Sequence, residues 1–231
     1  MQAEIITIGD ELLIGQVVDT NSAWLGRTLG EDGIKVTQIT SVQDDADQIA
    51  RAVNEALARV SIVLVTGGLG PTRDDITKHT LAELFGMRLV RDEQVYETVR
   101  RQLAVRGIAF NELNRGQALV PDGCTVLPNR NGTAPGMWFE RGRKILVSMP
   151  GVPFEMKALV TDEVLPRLRT HFSLHANVHR TAITFGLAES ILAERIAPWE
   201  AALPANLRLA YLPSALCIRL RLSAYETDPE K

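Results

Sequence analysis

Short apolar runs alternate with amphipathic stretches from Glu4 to about Arg167, and this alternation predicts strands and helices in regular succession. Ile5-Ile6-Thr7-Ile8 predicts a first strand, Asn21 to Leu29 a helix, and Ile34 to Thr40 a second strand rich in β-branched residues. From Asp45 to Val60 the apolar positions Ile49, Val53, Ala56, Leu57 and Val60 follow the 3.6-residue period of a helix, and aspartates occupy its first turn. Ile62-Val63-Leu64-Val65 has no polar face, as expected of a strand buried on both sides of a parallel sheet. A helix is predicted from Ile76 to Phe85, then others from Asp92 to Arg106 and from Asn111 to Leu119, with a turn at Pro121-Asp122-Gly123. Met137 to Glu140 and Lys144 to Ser148 flank Arg141-Gly142-Arg143 as a hairpin, and a helix follows from Pro153 to Leu165. The predicted fold is a three-layer α/β domain, with a mostly parallel sheet, right-handed crossovers and helices on both faces.

The pattern changes after Pro166. The polar stretch 169–179 reads as a linker, which puts the first domain at 1–168 and a small α+β unit at 180–231. In that unit Arg180 to Phe185, Leu207 to Tyr211 and Leu216 to Ser223 are predicted strands, and Ala188 to Ala197 is a helix. About fifty residues make a marginal core, so docking on a partner surface is expected. No helix follows the last strand, so the expectation is either a chain cut short or a dimer contact that covers the sheet.

The densest chemistry lies in Thr66-Gly67-Gly68-Leu69-Gly70-Pro71-Thr72-Arg73-Asp74-Asp75, between a buried strand and a helix. Gly67, Gly68 and Gly70 allow close backbone approach, so successive N–H groups can converge on an anion at the helix N-terminus. A tight turn capped by Asp74 or Asp75 accounts for one aspartate but not for both. The glycine spacing is not that of a dinucleotide fingerprint, and no Lys-Ser/Thr follows as in a Walker A loop. A phosphate beside Asp74 and Asp75 would be repelled unless a divalent cation such as Mg²⁺ or Mn²⁺ lay between them.

In an open parallel sheet, ligands bind beyond the carboxyl ends of the strands. Three segments are expected to converge there: Gly9 to Gly15 with Asp10-Glu11, Gly67 to Asp75, and Ser148 to Glu155. Asn129 to Gly136 is a fourth candidate loop. Asp10, on the same sheet edge as Asp74 and Asp75, would hold a cation or activate water.

Composition narrows the class further. Among 231 residues the formal net charge is −3 and no basic stripe with interleaved aromatics occurs, which argues against nucleic-acid binding. No basic leader and no long apolar span is visible, so a cytoplasmic protein without membrane partners is expected. Cys124 and Cys217 are too far apart for a redox pair or zinc knuckle and read as reduced structural cysteines. His171, His175 and His179 recur every four residues, but Ser173 and Asn177 between them favour a solvated connector over a metal site.

Six ordered motifs carry a resemblance: Gly9-Asp10-Glu11-Leu12-Leu13, Asp19-Thr20-Asn21, Thr66 to Asp75, Asn114-Arg115-Gly116-Gln117-Ala118, Gly132-Thr133-Ala134-Pro135-Gly136 and Pro150 to Glu155. Together they resemble the CinA family along nearly the whole chain. The resemblance implies a molybdopterin-binding fold like that of MoaB and MogA, followed by a small KH-like domain, carrying Gly186-Leu187-Ala188-Glu189-Ser190, often used in homodimerisation. It also implies metal-dependent hydrolysis of ADP-ribose, a small-molecule nucleotide, to AMP and ribose 5-phosphate, with Mg, Mn or Co as the metal ion. Gly116 stands where many members carry a lysine, and Arg115 or Arg73 would have to supply that charge. Full-length members often continue into a nicotinamide-nucleotide amidase domain, whose deamidation is not credited to these residues.

On this reading Asp10, Asp74 and Asp75 are the catalytic candidates, with Asp10 and Asp75 as metal ligands. Gly67, Gly68, Gly70, Thr72, Arg73, Gln117, Thr133, Gly136, Gly151 and Glu155 are the substrate-binding candidates. The alternatives are a molybdopterin-binding, adenylyltransferase-like protein and a non-catalytic nucleotide-sensing, dimerising module for a separate amidase domain.

Overall fold

The computed structural model describes residues 1–72, 75–172, 174, 178–214 and 216–224. Four parallel strands form the centre of the molecule: β1 (Gln2–Ile8), β2 (Lys35–Val42), β3 (Ile62–Thr66) and β8 (Lys144–Met149). Two antiparallel strands, β7 (Gly136–Arg141) and β6 (Thr125–Leu127), extend the edge, giving the order β2-β1-β3-β8-β7-β6. Strand β3 lies between β1 and β8, with Leu64 opposite both Ile5 and Val147.

Because side chains alternate along a strand, β3 supplies two cores. Ile62 and Leu64 face helix α2 (Thr20–Glu31) and the helix that starts at Pro153, whereas Val63 and Val65 face α3 (Ala46–Arg59) and α4 (Thr77–Leu84). The predicted stripe of α3 is the buried one, and Asp45 caps it by accepting from the Gln48 N–H at 3.0 Å. Glu4 is buried on β1, and Arg59 grips both of its oxygens at 2.8 Å.

Some predicted boundaries need correction. The segment expected to be helical to Leu119 ends as a short helix, α6 (Glu112–Gly116), and Leu119–Pro121 (β5) instead pairs with Leu89–Arg91 (β4) under helix α5 (Glu93–Val105). The helix from Pro153 also passes through Pro166. It runs as α7 (Pro153–Leu159), a widened π-helical turn at Val160–Val164, and α8 (Leu165–Phe172). Proline cannot donate to the carbonyl four residues back and its ring crowds that carbonyl, and the wide turn containing Asp162 absorbs the misfit. Residues 169–172 are therefore helix rather than linker. Leu165 and Leu168 are buried in the core, and Arg169 grips Asp32 at the end of α2 at 2.8 and 2.9 Å.

The last unit is a three-stranded antiparallel sheet in the order β10 (Leu207–Pro213), β11 (Ile218–Ala224), β9 (Val178–Thr184), with helix α9 (Glu189–Ala201) tied to it by the Tyr211 hydroxyl donating to Glu200 at 2.7 Å. The histidine series does not share a helix face: His171 is on α8 near Trp138, His179 is on β9 bonded to Ser223, and His175 lies outside the described residues. Cys124 and Cys217 are free thiols, and burial pushes Cys124 up to about 11. Among the described residues no helix is long and apolar enough to cross a membrane.

Candidate functional site

Beyond the carboxyl ends of β1, β3 and β8 the chain turns away in glycine-containing loops that enclose a cleft of about 550 Å³. The loops approach closely only because side chains are missing. Gly67 has φ +117, and a Cβ there would stand 2.1 Å from the Ile8 carbonyl oxygen. Across the cleft floor a Cβ on Gly151 would lie 3.4 Å from the Gly67 Cα. At Gly68, φ +64, a Cβ would strike the Thr77 hydroxyl at the start of α4, a fully buried group with no hydrogen-bond partner among the described residues.

Of the predicted binding residues, Gly67, Gly68, Gly70, Thr72, Gln117, Thr133, Gly151 and Glu155 all line this cleft. Their roles differ from one another. The Gly67 N–H donates to the Met149 carbonyl at 3.1 Å and so closes the sheet. Among the described residues no hydrogen bond occupies the N–H groups of Gly68, Leu69 and Gly70, which leaves these free to donate into the cleft. Thr72 directs both its N–H, at 2.9 Å, and its hydroxyl, at 2.5 Å, to the Asp75 carboxylate. Gln117 is 2% exposed and donates to the Leu69 carbonyl at 3.1 Å, which holds the glycine loop from beneath. Glu155 accepts from Asn129 at 2.7 Å, a contact that requires Gly132, where a Cβ would fall 1.9 Å from the carboxylate.

Gly136 is not part of the wall. It is buried at the start of β7 beneath Leu159, where a Cβ would meet Leu159 Cδ2 at 2.4 Å, so its smallness serves packing. Asp10 begins the short helix α1 (Asp10–Leu13) and does not line the cleft; Glu11 beside it does. Arg73 and Asp74 lie outside the described residues.

Three groups with no assigned role in the sequence reading complete the site. Asp44, just past β2, lines the cleft, accepts from the Asp10 N–H at 3.3 Å, and is held above the usual carboxylate range by burial and then by the charges of Asp10, Glu11 and Asp75. A second Asp-Asp pair at a strand's carboxyl end, Asp44-Asp45, was the available signal. Asn21 bridges elements: its amide donates to the Gly151 carbonyl at 2.8 Å and reaches Thr66 Oγ1 at 3.4 Å, and Thr66 in turn donates to the Pro150 carbonyl. Lys78, on α4, donates to the Gly116 carbonyl at 2.8 Å, and burial lowers it to about 8 against the pull of Asp75. This cation is close to the position where Gly116 lacks one.

The residues 4–170 match the family model described as a probable molybdopterin binding domain. A solved structure titled as the protein CinA with unknown function, from Thermoplasma acidophilum, is 37% identical; the chain covers 94% of it, and 69% of the chain is aligned, with a TM-score of 0.64. The chain belongs to the CinA-like family. A CinA-like protein from Cytophaga hutchinsonii is 50% identical over 96% of this chain and 53% of its own length, and one from Flavobacterium psychrophilum is 46% identical over 99% and 55%. The chain thus spans about half the length of the curated CinA-like relatives it matches. The molybdopterin biosynthesis enzyme MoaB from Thermus thermophilus, 20% identical with a TM-score of 0.50 over 74% of this chain and 96% of its own, shares the fold. In this CinA-like chain the acidic residues that line the cleft are Glu11, Asp44, Asp75 and Glu155, and the first three are near enough for Glu11 and Asp75 to raise Asp44. Their hard oxygens suit Mg²⁺ or Mn²⁺, and the crowding that raises Asp44 is of the kind a cation relieves. Among the described residues no three acidic, His or Cys groups already stand together as ligands, so an ion would draw the carboxylates inward.

Proposed function

We propose that the cleft binds ADP-ribose through its pyrophosphate and hydrolyses it, with a divalent ion, to AMP and ribose 5-phosphate. One observation carries the reading: backbone N–H groups at Gly68, Leu69 and Gly70, without a partner among the described residues, share a cleft with Glu11, Asp44 and Asp75. Backbone donors bind phosphate oxygens irrespective of pH. Carboxylates beside them have no use toward a phosphate alone, but they fit a cation or an attacking water. Asp75 and Glu11, which line the cleft, would hold Mg²⁺, Mn²⁺ or Co²⁺, which when bound neutralises charge developing on the phosphoryl oxygens. Asp44, which lines the same cleft, is left to accept a proton from the attacking water. Lys78 adds positive potential behind the loop, and the Thr72 clasp orients Asp75.

The test is AMP release from ADP-ribose with Mg²⁺, Mn²⁺ or Co²⁺. Turnover that falls by about 100-fold or more in Asp75→Asn is expected, a loss of at least ~2.7 kcal/mol in transition-state stabilisation. Absence of metal-dependent turnover by the parent chain overturns the proposal. A second reading, pterin binding with adenylyl transfer, is favoured by the family match over 4–170; tight molybdopterin binding with no response to ADP-ribose would select it. The proposal includes a homodimer, in which the terminal unit is covered by its copy.

A further inference from the structure

The loop after β3 presents a short row of donors to the cleft, and the last of them is already taken. Among the described residues the N–H groups of Gly68, Leu69 and Gly70 have no partner, and Pro71 has no N–H to give. Thr72 ends the row. Its N–H and its hydroxyl both donate to Asp75 Oδ2, at 2.9 and 2.5 Å, and the Asp75 N–H returns to the Thr72 carbonyl at 3.3 Å. The carboxylate also rests on the loop itself, since a Cβ on Gly70 would stand 2.5 Å from Oδ2 and 2.9 Å from Oδ1. Gly70 thus makes room for an acidic side chain. None of the other acidic residues that line the cleft accepts from this loop among the described residues: Asp44 accepts from the Asp10 N–H and Glu155 from Asn129.

A carboxylate presents to an N–H what a phosphoryl group presents, negatively charged acceptor oxygens. Asp75 therefore holds, within the chain, a pair of donors that a phosphate on the same loop would claim. Carboxylate and phosphate cannot share them, because two anions at one N–H repel each other. A divalent cation removes the conflict by giving the carboxylate a doubly charged partner in exchange for two neutral donors. We infer that the Thr72–Asp75 pair is a latch on the glycine loop: Asp75 stands in for the phosphate until a divalent cation takes its carboxylate, and the Thr72 N–H and hydroxyl then pass to the phosphoryl oxygens. The clasp that aims Asp75 is the one that withholds Thr72, so ion and phosphate favour each other's binding through it. The inference rests on the reading of the cleft as a metal-assisted phosphate site.

Inorganic pyrophosphate and Mn²⁺, titrated separately into the full chain by calorimetry, test the latch without turnover and without their complex in solution. In metal-free buffer Asp75→Ala removes the stand-in and is expected to bind pyrophosphate about tenfold or more tighter than the wild type. Loss of any negative charge from the cleft favours an anion, so Glu11→Gln, which frees no loop donor, measures that general effect and is expected to gain about threefold or less. Thr72→Val keeps the N–H but removes the hydroxyl. Its carboxylate is held less firmly, and Mn²⁺ is expected to bind about threefold or more tighter than to the wild type. A clasp that served only to prop Asp75 for the ion predicts the reverse. Equal gains in Asp75→Ala and Glu11→Gln, unchanged or weaker Mn²⁺ binding by Thr72→Val, or no binding of either probe by any form each overturns the latch. Metal-dependent AMP release from ADP-ribose beside any of those results removes the latch and leaves the activity standing. The expected binding pattern without AMP release removes the activity and leaves the latch.

Discussion

The cleft exists because particular positions carry no side chain, and its cost in stability is concentrated in a few carboxylates. Gly67 is the most constrained, since a Cβ would stand 2.1 Å from backbone that cannot move without breaking the β1–β3 pairing. Gly67→Ala is expected to lose about 2 to 4 kcal/mol in denaturant unfolding, the sum of left-handed strain and a backbone clash. Asp44 acts in the opposite sense. Its folded pKa lies above the ordinary 3.8, so the folded state holds the proton more tightly than the unfolded chain, and stability declines as pH rises through the interval between the two values. Asp44→Asn is therefore expected to melt above the wild type at pH 7, to lose that advantage below about pH 4, and to lose hydrolysis. Equal melting temperatures at pH 7 would show that Asp44 is not under charge stress.

Contacts between elements convert these residues into a site. Asn21 at the start of α2 and Thr66 at the end of β3 hold the Pro150-Gly151 turn, so three elements share one hydrogen-bonded junction. Lys78 similarly ties α4 to the end of α6. With its pKa lowered from 10.5 to about 8, the unfolded chain binds a proton that the folded one releases between those values, so stability rises with pH across that window. The difference in unfolding free energy between wild type and Lys78→Met should shift in favour of the wild type by on the order of 2 to 3 kcal/mol from pH 8 to pH 10.5. A constant difference across that range would place the ammonium in water. Pro166 marks a limit of element-level reading: a proline normally ends a helix, but here a π-helical turn keeps α7 and α8 continuous, and buried Leu165 and Leu168 anchor the continuation.

Viewed whole, the molecule has one well-filled body and one sparsely filled unit. Among the described residues of 178–224, burial is confined to Leu192, Ile218 and Ser223, while Phe185 is 70% and Leu216 86% exposed. Light scattering is expected to give a dimer mass, reduced to a monomer by Phe185→Ser with Leu216→Ser; a monomer at every concentration would remove the dimer from the proposal. The apolar periodicity of α3, the two-faced β3 and the glycine spacing were sufficient to predict a parallel sheet with a ligand edge, because strand and helix periods are local properties of the chain. The glycine loop that lines the cleft was legible for the same reason. Asn21 and Lys78 were not, and Asp44 was marked only by its Asp-Asp pair, since each acts on a segment far away in sequence and its role arises only when the sheet order sets β2, α2 and α4 around a common edge. Tertiary packing likewise turned Gly136 from a candidate ligand contact into space for Leu159. The sequence by itself determined the periods, the turns and the types of donor. Which groups are buried, which charges crowd together and which N–H groups remain unoccupied were decided only by the fold, because burial and charge coupling depend on distances between segments that no local pattern records.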